Sequence, residues 1–184
     1  MFISSDTNVW LDFSTIDCMK HPFLLDNDYF LSSITYHDEI DENHVYSLND
    51  DREKYCEIRK YANENKIKII DATIDELKLS IAYHAKYRAI SDEDCIALAI
   101  AKKRNWILLT GDGHLRNTAK LESVECRGTI WIYDELLNRN LLSKEEYLNA
   151  LYKLLNAVDN KKRRLPRNEI LKRIESVNHP LTKD

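Results

Sequence analysis

Phe2-Ile3-Ser4-Ser5-Asp6-Thr7-Asn8-Val9-Trp10 and, far down the chain, Trp106-Ile107-Leu108-Leu109-Thr110-Gly111-Asp112 share one plan: a short, mostly apolar run that stops at an aspartate. Such runs, bounded by turn-forming residues, read as strands of a buried sheet. In an open α/β sheet the functional crevice lies outside the carboxyl ends of the strands, so acids placed there converge however far apart they stand in sequence. Asp6 and Asp112 are therefore expected at one site, and a pair of carboxylates at strand ends points to a metal.

Working outward, Val9, Trp10, Leu11 and Phe13 follow Asp6 as a helix or turn, and Tyr29 to Ile34 reads as a second strand. Thr35-Tyr36-His37-Asp38-Glu39-Ile40 predicts a helix start with Thr35 as N-cap, either acid being able to face the sheet end. Tyr55, Ile58 and Tyr61 recur at helical steps among charges between Asp50 and Asn65, a surface helix. Lys66 to Asp71 alternates as a strand should, and a helix through Ile74, Leu77, Ile81 and Ala85 follows. Ser91-Asp92-Glu93-Asp94 opens the run Cys95 to Ala101, apolar on every side and closed by Lys102-Lys103-Arg104. That is a buried helix with acids at its positive end and bases at its negative end. Gly128 to Ile132 offers one more strand. Ser143-Lys144-Glu145-Glu146 is a capping box before Leu148, Leu151, Leu155 and Val158, and Pro166 suits the first turn of a last helix carrying Ile170, Leu171 and Ile174. Strand and helix alternate as in a mostly parallel sheet with helices on both faces.

The 184 residues suffice for one domain with an appendage. Three glycines and three prolines leave little room for long loops. Cys18, Cys56, Cys95 and Cys126 form no Cys-x-x-Cys pair and no zinc spacing, which fits reduced thiols in a cytoplasmic protein. No apolar run approaches membrane-spanning length, so no membrane association is expected. The net charge is −4, yet residues 157–184 hold eight Lys and Arg against four Asp and Glu, leaving −8 on the remainder. The tail is the basic part of an acidic chain.

Asp6-Thr7-Asn8-Val9 after the first strand, an acid near residue 39, Ser91-x-x-Asp94-x-x-Ala97-Leu98-Ala99, and Leu109-Thr110-Gly111-Asp112-x-x-Leu115-Arg116 together resemble the PIN domain family, over roughly residues 1–132. The resemblance implies a Rossmann-like three-layer sandwich at 1–132, with residues 133–184 as a helical extension packed on or next to it. It implies a ribonuclease that hydrolyses RNA phosphodiester bonds with Mg²⁺ or Mn²⁺. By the same resemblance Asp6, Asp94 and Asp112 are catalytic metal-site acids, and Thr110 orients a water or a carboxylate. Glu39 is the favoured second acid and Asp38 its alternative. The family also implies the role of toxin in a toxin–antitoxin pair, with an antitoxin protein as partner; a homodimer stays open. The added length and the helical tail depart from the compact toxins of the family.

Each residue has a plainer reading. Asp6 could cap a helix, Asp94 could close a capping box on Ser91, Asp112 could serve a tight turn, and Glu39 could be a solvated helix acid. His114, Arg116 and Asn8 are candidates for holding substrate phosphate, although exposed His and Arg are usually surface. Lys161-Lys162-Arg163-Arg164 with Arg167 suits phosphates, but reads first as a solvated linker between helices. Trp10, Trp106 and Trp131 read as core. Two other functions compete: a PIN-fold module that binds RNA or protein without catalysis, and a phosphatase of the haloacid dehalogenase kind. The latter needs an acid two residues after its nucleophilic Asp, where this chain has Asn8.

Overall fold

The computed structural model describes residues 1–40 and 52–178. Five strands, β1 Phe2–Ser5, β2 Asp28–Ser32, β3 Ile67–Ile70, β4 Ile107–Leu109 and β5 Cys126–Arg127, form one sheet in the order β3-β2-β1-β4-β5, every pair parallel. The helices are α1 Thr7–Thr15, α2 Ser33–Thr35, α3 Arg52–Asn63, α4 Ile74–Lys86, α5 Asp92–Arg104, α6 Gly113–Leu121, α7 Thr129–Asn138, α8 Lys144–Asp159 and α9 Arg167–Asn178.

Alternation along the strands divides the core. Ile3 and Leu109 face one side, where they join Trp10 and Phe13 of α1, Ile58 of α3, Ile132 and Tyr133 of α7, Leu151 and Leu154 of α8 and Ile170 of α9. Leu108 faces the other side, against Leu98 and Ala99 of α5, Tyr83 of α4 and Leu115 of α6. The result is the three-layer α/β sandwich expected. α5 is buried from Cys95 to Ala101, and Ser4 Oγ donates to the Ala97 carbonyl, so a polar strand residue is satisfied against this apolar helix. The three C-terminal helices share the hydrophobic cluster of α1. Each fully buried leucine among them adds roughly 1.5–3 kcal/mol, and Lys153 Nζ bonds the Ile16 carbonyl at 3.1 Å.

Several elements differ from expectation. Strand β2 ends at Ser32, and it is Ser32 rather than Thr35 that caps α2, accepting the Thr35 amide at 3.0 Å. The chain then runs through a π-helical turn, Tyr36–Ile40, pinned by Arg59 Nη1 on the Ile40 carbonyl. No strand covers Gly128 to Ile132: β5 lies just before it, and Gly128 caps α7. In α4 the apolar stripe points outward. Ile74 and Ile81 are 72% and 70% exposed, while Glu76, Ser80 and Tyr83 are buried. Trp10 is core, Trp131 is partly buried against the same cluster, and Trp106 is half-buried on Phe2 and Phe30. The first two residues of the Asp50–Asn65 segment lie outside the described residues. Among those described, no helix is long and apolar enough to cross a membrane, and all four cysteines are free.

Candidate active site

From β1 the sheet grows outward in one direction to β2 and β3, then resumes on the other side of β1 with β4 and β5. The switch point therefore lies between the carboxyl ends of β1 and β4, which is where a ligand crevice forms. Asp6 follows β1 directly, and its amide donates to the Leu109 carbonyl at 3.0 Å, so the ends of both strands are tied at this spot.

Asp6 is 7% exposed. One carboxylate oxygen takes the Asn8 amide at 3.1 Å as the cap of α1, and the other takes Thr110 Oγ1 at 2.8 Å. That hydroxyl also accepts the Asp112 amide at 3.0 Å. Asp112 caps α6 through the Leu115 amide at 2.8 Å. Asp94 closes a capping box with Ser91, accepting its amide through Oδ2 and donating its own to Ser91 Oγ. Asp6 and Asp112 cap α1 and α6 and Asp94 closes the box of α5, so each serves a helix start, Asp112 as a cap rather than the turn residue of its plainer reading.

The acids act on each other. Burial pushes the Asp6 carboxyl up, and the Asp112 charge adds to this against the bonds from Asn8 and Thr110. Asp94 is pushed up to about 7 by burial, then by Asp6, Asp112 and Glu93. Glu39, on the π-helical turn, is also pushed up to about 7 by burial, with Asp6, Glu93 and Asp94 adding repulsion. Asp38 is exposed beside it. The turn brings Glu39 to the acids, while Asp38 faces solvent.

The remaining candidates separate. Arg116 Nη2 bonds the Thr110 carbonyl at 3.0 Å and lies where a side chain on Gly128 would sit, so it braces the strand end from behind. His114 is exposed on the first turn of α6. Asn8 is exposed at the mouth, its amide group 3.4 and 3.5 Å from the two Asp6 oxygens.

Two residues of this region escaped the reading of the sequence. Asp12, 2% exposed, stands on the next turns of α1. It takes Thr129 Oγ1 and Arg163 Nε, each at 2.6 Å, and lies 3.5 Å from the space beside Gly111. Burial pushes its carboxyl up, and Arg163 and Thr129 hold it back. An acid inside the apolar run Val9 to Phe13 was the available signal, since a buried charge must be paired. The partner, from the turn between α8 and α9, could not be read locally. Glu93 is the other, half-buried and repelling both Glu39 and Asp94.

The donors are all hard oxygens, as Mg²⁺ and Mn²⁺ prefer. Asp94 and Asp112 each keep a carboxylate oxygen without a donor among the described residues. The Thr7 hydroxyl is buried with no aligned hydrogen-bond partner there, though close enough to favour the charged form of Glu39. Repulsion among clustered carboxylates is what a cation relieves. In their chemistry the residues fit such an ion. Among the described residues no three His, Cys, Asp or Glu side chains make a ready-made group for one. The acids are coupled without closing on a single point.

A family model described as PIN domain matches residues 3–179. The chain belongs to the PIN domain family. PIN domains are generally nucleases and typically use divalent metals, so the membership supports hydrolase chemistry in general. No curated protein and no solved structure shows a significant match.

Proposed function

We propose that this PIN domain is a divalent-metal-dependent endoribonuclease, with Asp6, Glu39, Asp94 and Asp112 as its carboxylate centre. The observation that carries this reading is geometric: Asp6 and Asp112 are tied together through Thr110 at the ends of two neighbouring strands, at the switch point of the sheet, with Glu39 and Asp94 near enough to feel the charge of Asp6. Buried like charges cost stability, and a protein keeps them together where a cation or proton is to be handled.

Mg²⁺ or Mn²⁺ held by these four acids would supply charge neutralisation at the scissile phosphate and activation of water. The chain's own residues set the stage. Thr110 ties the Asp6 carboxylate to the Asp112 backbone amide, and the Leu115 amide fixes the Asp112 carboxylate. Asn8 holds the outer side of Asp6. Glu39 and Asp94, raised to about 7 by burial and by the neighbouring acids, would give up their protons on taking the cation, so the repulsion that raises them would be relieved.

The test is cleavage of mixed cellular RNA with Mg²⁺ or Mn²⁺, beside EDTA and Asp6→Asn. Cleavage that needs both cation and Asp6 supports the nuclease. A second reading, a PIN-fold module that binds RNA or protein without catalysis, is favoured by the absence of a ready-made ion group among the described residues. Calorimetry with no divalent binding, together with no cleavage, would select it. The phosphatase alternative gains nothing: Asn8 stands where it needs a second acid and is engaged by Arg163.

A further inference from the structure

The basic run Lys161 to Arg164 does not lie free between two helices. Arg163 is turned back onto the mouth of the acid centre. Its side chain is 11% exposed; Nε bonds Asp12 at 2.6 Å, and Nη2 bonds the Asn8 carbonyl at 2.8 Å and Asn8 Oδ1 at 3.3 Å. Asn8 in turn touches the Asp6 carboxylate. Two hydrogen-bonded steps therefore connect the turn after α8 to Asp6.

The anchor leaves the rest of the run at the surface. Lys161 adopts the left-handed conformation, φ 58°, just after the C-cap of α8. Lys161, Lys162 and Arg164 are exposed and form no ion pair among the described residues, whereas Arg167 is paired with Asp159 at 2.8 Å. Three uncommitted cations are thus fastened beside a centre whose own charge would repel an anionic polymer. A helix C-terminus favours some positive charge. That preference accounts for the sign of the cluster, but not for an arginine buried against the site to seat it.

We propose that the 161–164 turn is the phosphate-holding edge of the site, where Lys161, Lys162 and Arg164 grip the RNA backbone next to the bond being cut. Arg163, neutralised by Asp12, is a positioning residue that fixes this edge to α1. The proposal rests on the ribonuclease reading, to which it adds the path of the substrate.

The experiment measures binding of a fluorescein-labelled single-stranded RNA by anisotropy across a salt series, with Ca²⁺ in place of Mg²⁺. Wild type is compared with Lys161→Gln/Lys162→Gln/Arg164→Gln, and with Lys78→Gln/Arg88→Gln/Lys103→Gln, a control of equal charge change at exposed cations associated with α4 and α5. Each phosphate contact with single-stranded nucleic acid contributes roughly 0.7 to the slope of log K against log salt, so the turn variant should bind more weakly, with a slope shallower by about 2. Its melting temperature should match wild type, and the control should bind as wild type does. Wild-type affinity and slope in the turn variant, equal losses in both variants, or no RNA binding by wild type would each overturn the proposal. Cleavage is read in parallel. RNA binding lost with the turn, while wild type neither cleaves nor binds Mn²⁺, upholds the edge as an RNA grip and sinks the nuclease, whereas metal-dependent cleavage with unchanged binding in the turn variant does the reverse.

Discussion

The Thr110 hydroxyl donates to Asp6 and accepts from the Asp112 amide, so one small side chain sets the acids that end two neighbouring strands. Thr110→Val keeps the shape and removes both bonds. Losing a group that orients a metal ligand typically lowers affinity or activity by about 10–100-fold, and that loss is expected in Mn²⁺ titration calorimetry and in RNA cleavage. Unchanged Mn²⁺ affinity would mean that the carboxylates are placed without it. Asp12 and Arg163 make the second residue-scale case. Arg163→Met leaves a buried carboxylate unpaired and should cost about 3–5 kcal/mol in urea unfolding, most of it recovered in Asp12→Leu/Arg163→Met. If the double variant were no more stable than the single, the loss would lie in packing of the turn. At this scale the strand-end acids were legible because a strand end fixes where an Asp goes. Asp94 stood out from Asp92 and Glu93 by directly preceding an apolar run. Asp12 was not legible, since its partner lies 151 residues away.

Among the elements, α4 shows where periodicity stops being enough. Ile74, Leu77, Ile81 and Ala85 form a stripe, and a stripe ordinarily seeks the core. Here the opposite side of the helix is buried because Glu76 meets Arg104 of α5 at 2.6 and 2.9 Å while closing the capping box on Thr73. No spacing within α4 reveals an arginine from another helix. The Arg104 guanidinium holds the Glu76 carboxyl below the usual carboxylate range, against its burial. A depressed carboxylate contributes stability above its unfolded pKa and loses it as pH falls through its own lower range. Glu76→Gln should therefore cost about 1.5–3 kcal/mol at neutral pH, the scale of hydrogen bonds to charged groups, and less in acid. Urea unfolding at both pH values checks this. An equal cost at both would show that the ion pair is not what turns α4. The same limit explains Gly128 to Ile132: its apolar residues are helix α7 seen edge-on, and strand and helix are hard to tell apart in so short a run.

For the molecule as a whole, the site and the helix pair α4–α5 place opposite demands on pH. Glu39 and Asp94, raised to about 7, contribute their stability below the ordinary carboxylate pKa and lose it as pH rises through 7. In EDTA the melting temperature should therefore fall between about pH 5 and about pH 8, while Mn²⁺ should raise it more at the upper pH, where the repulsion is greatest. Equal stabilisation by Mn²⁺ at both pH values would place the ion elsewhere. The architecture itself was readable almost throughout, because alternation of strand and helix with few glycines and prolines allows little else. The reach of the tail was not readable. Its helices complete the cluster around α1, and Arg163 ends up against residues 8 and 12.

That last contact also orders events in time. A chain leaves the ribosome from its N-terminus, so Asp6, Asn8 and Asp12 emerge long before the arginine that neutralises one of them and the helices that cover α1. Until residue 163 has been made, Asp12 lacks the arginine that pairs with it in the finished fold. On the ribonuclease reading, the four acids of the centre are all made before residue 163, and the contact that joins the tail to α1 is added last, while the messenger is still the nearest RNA.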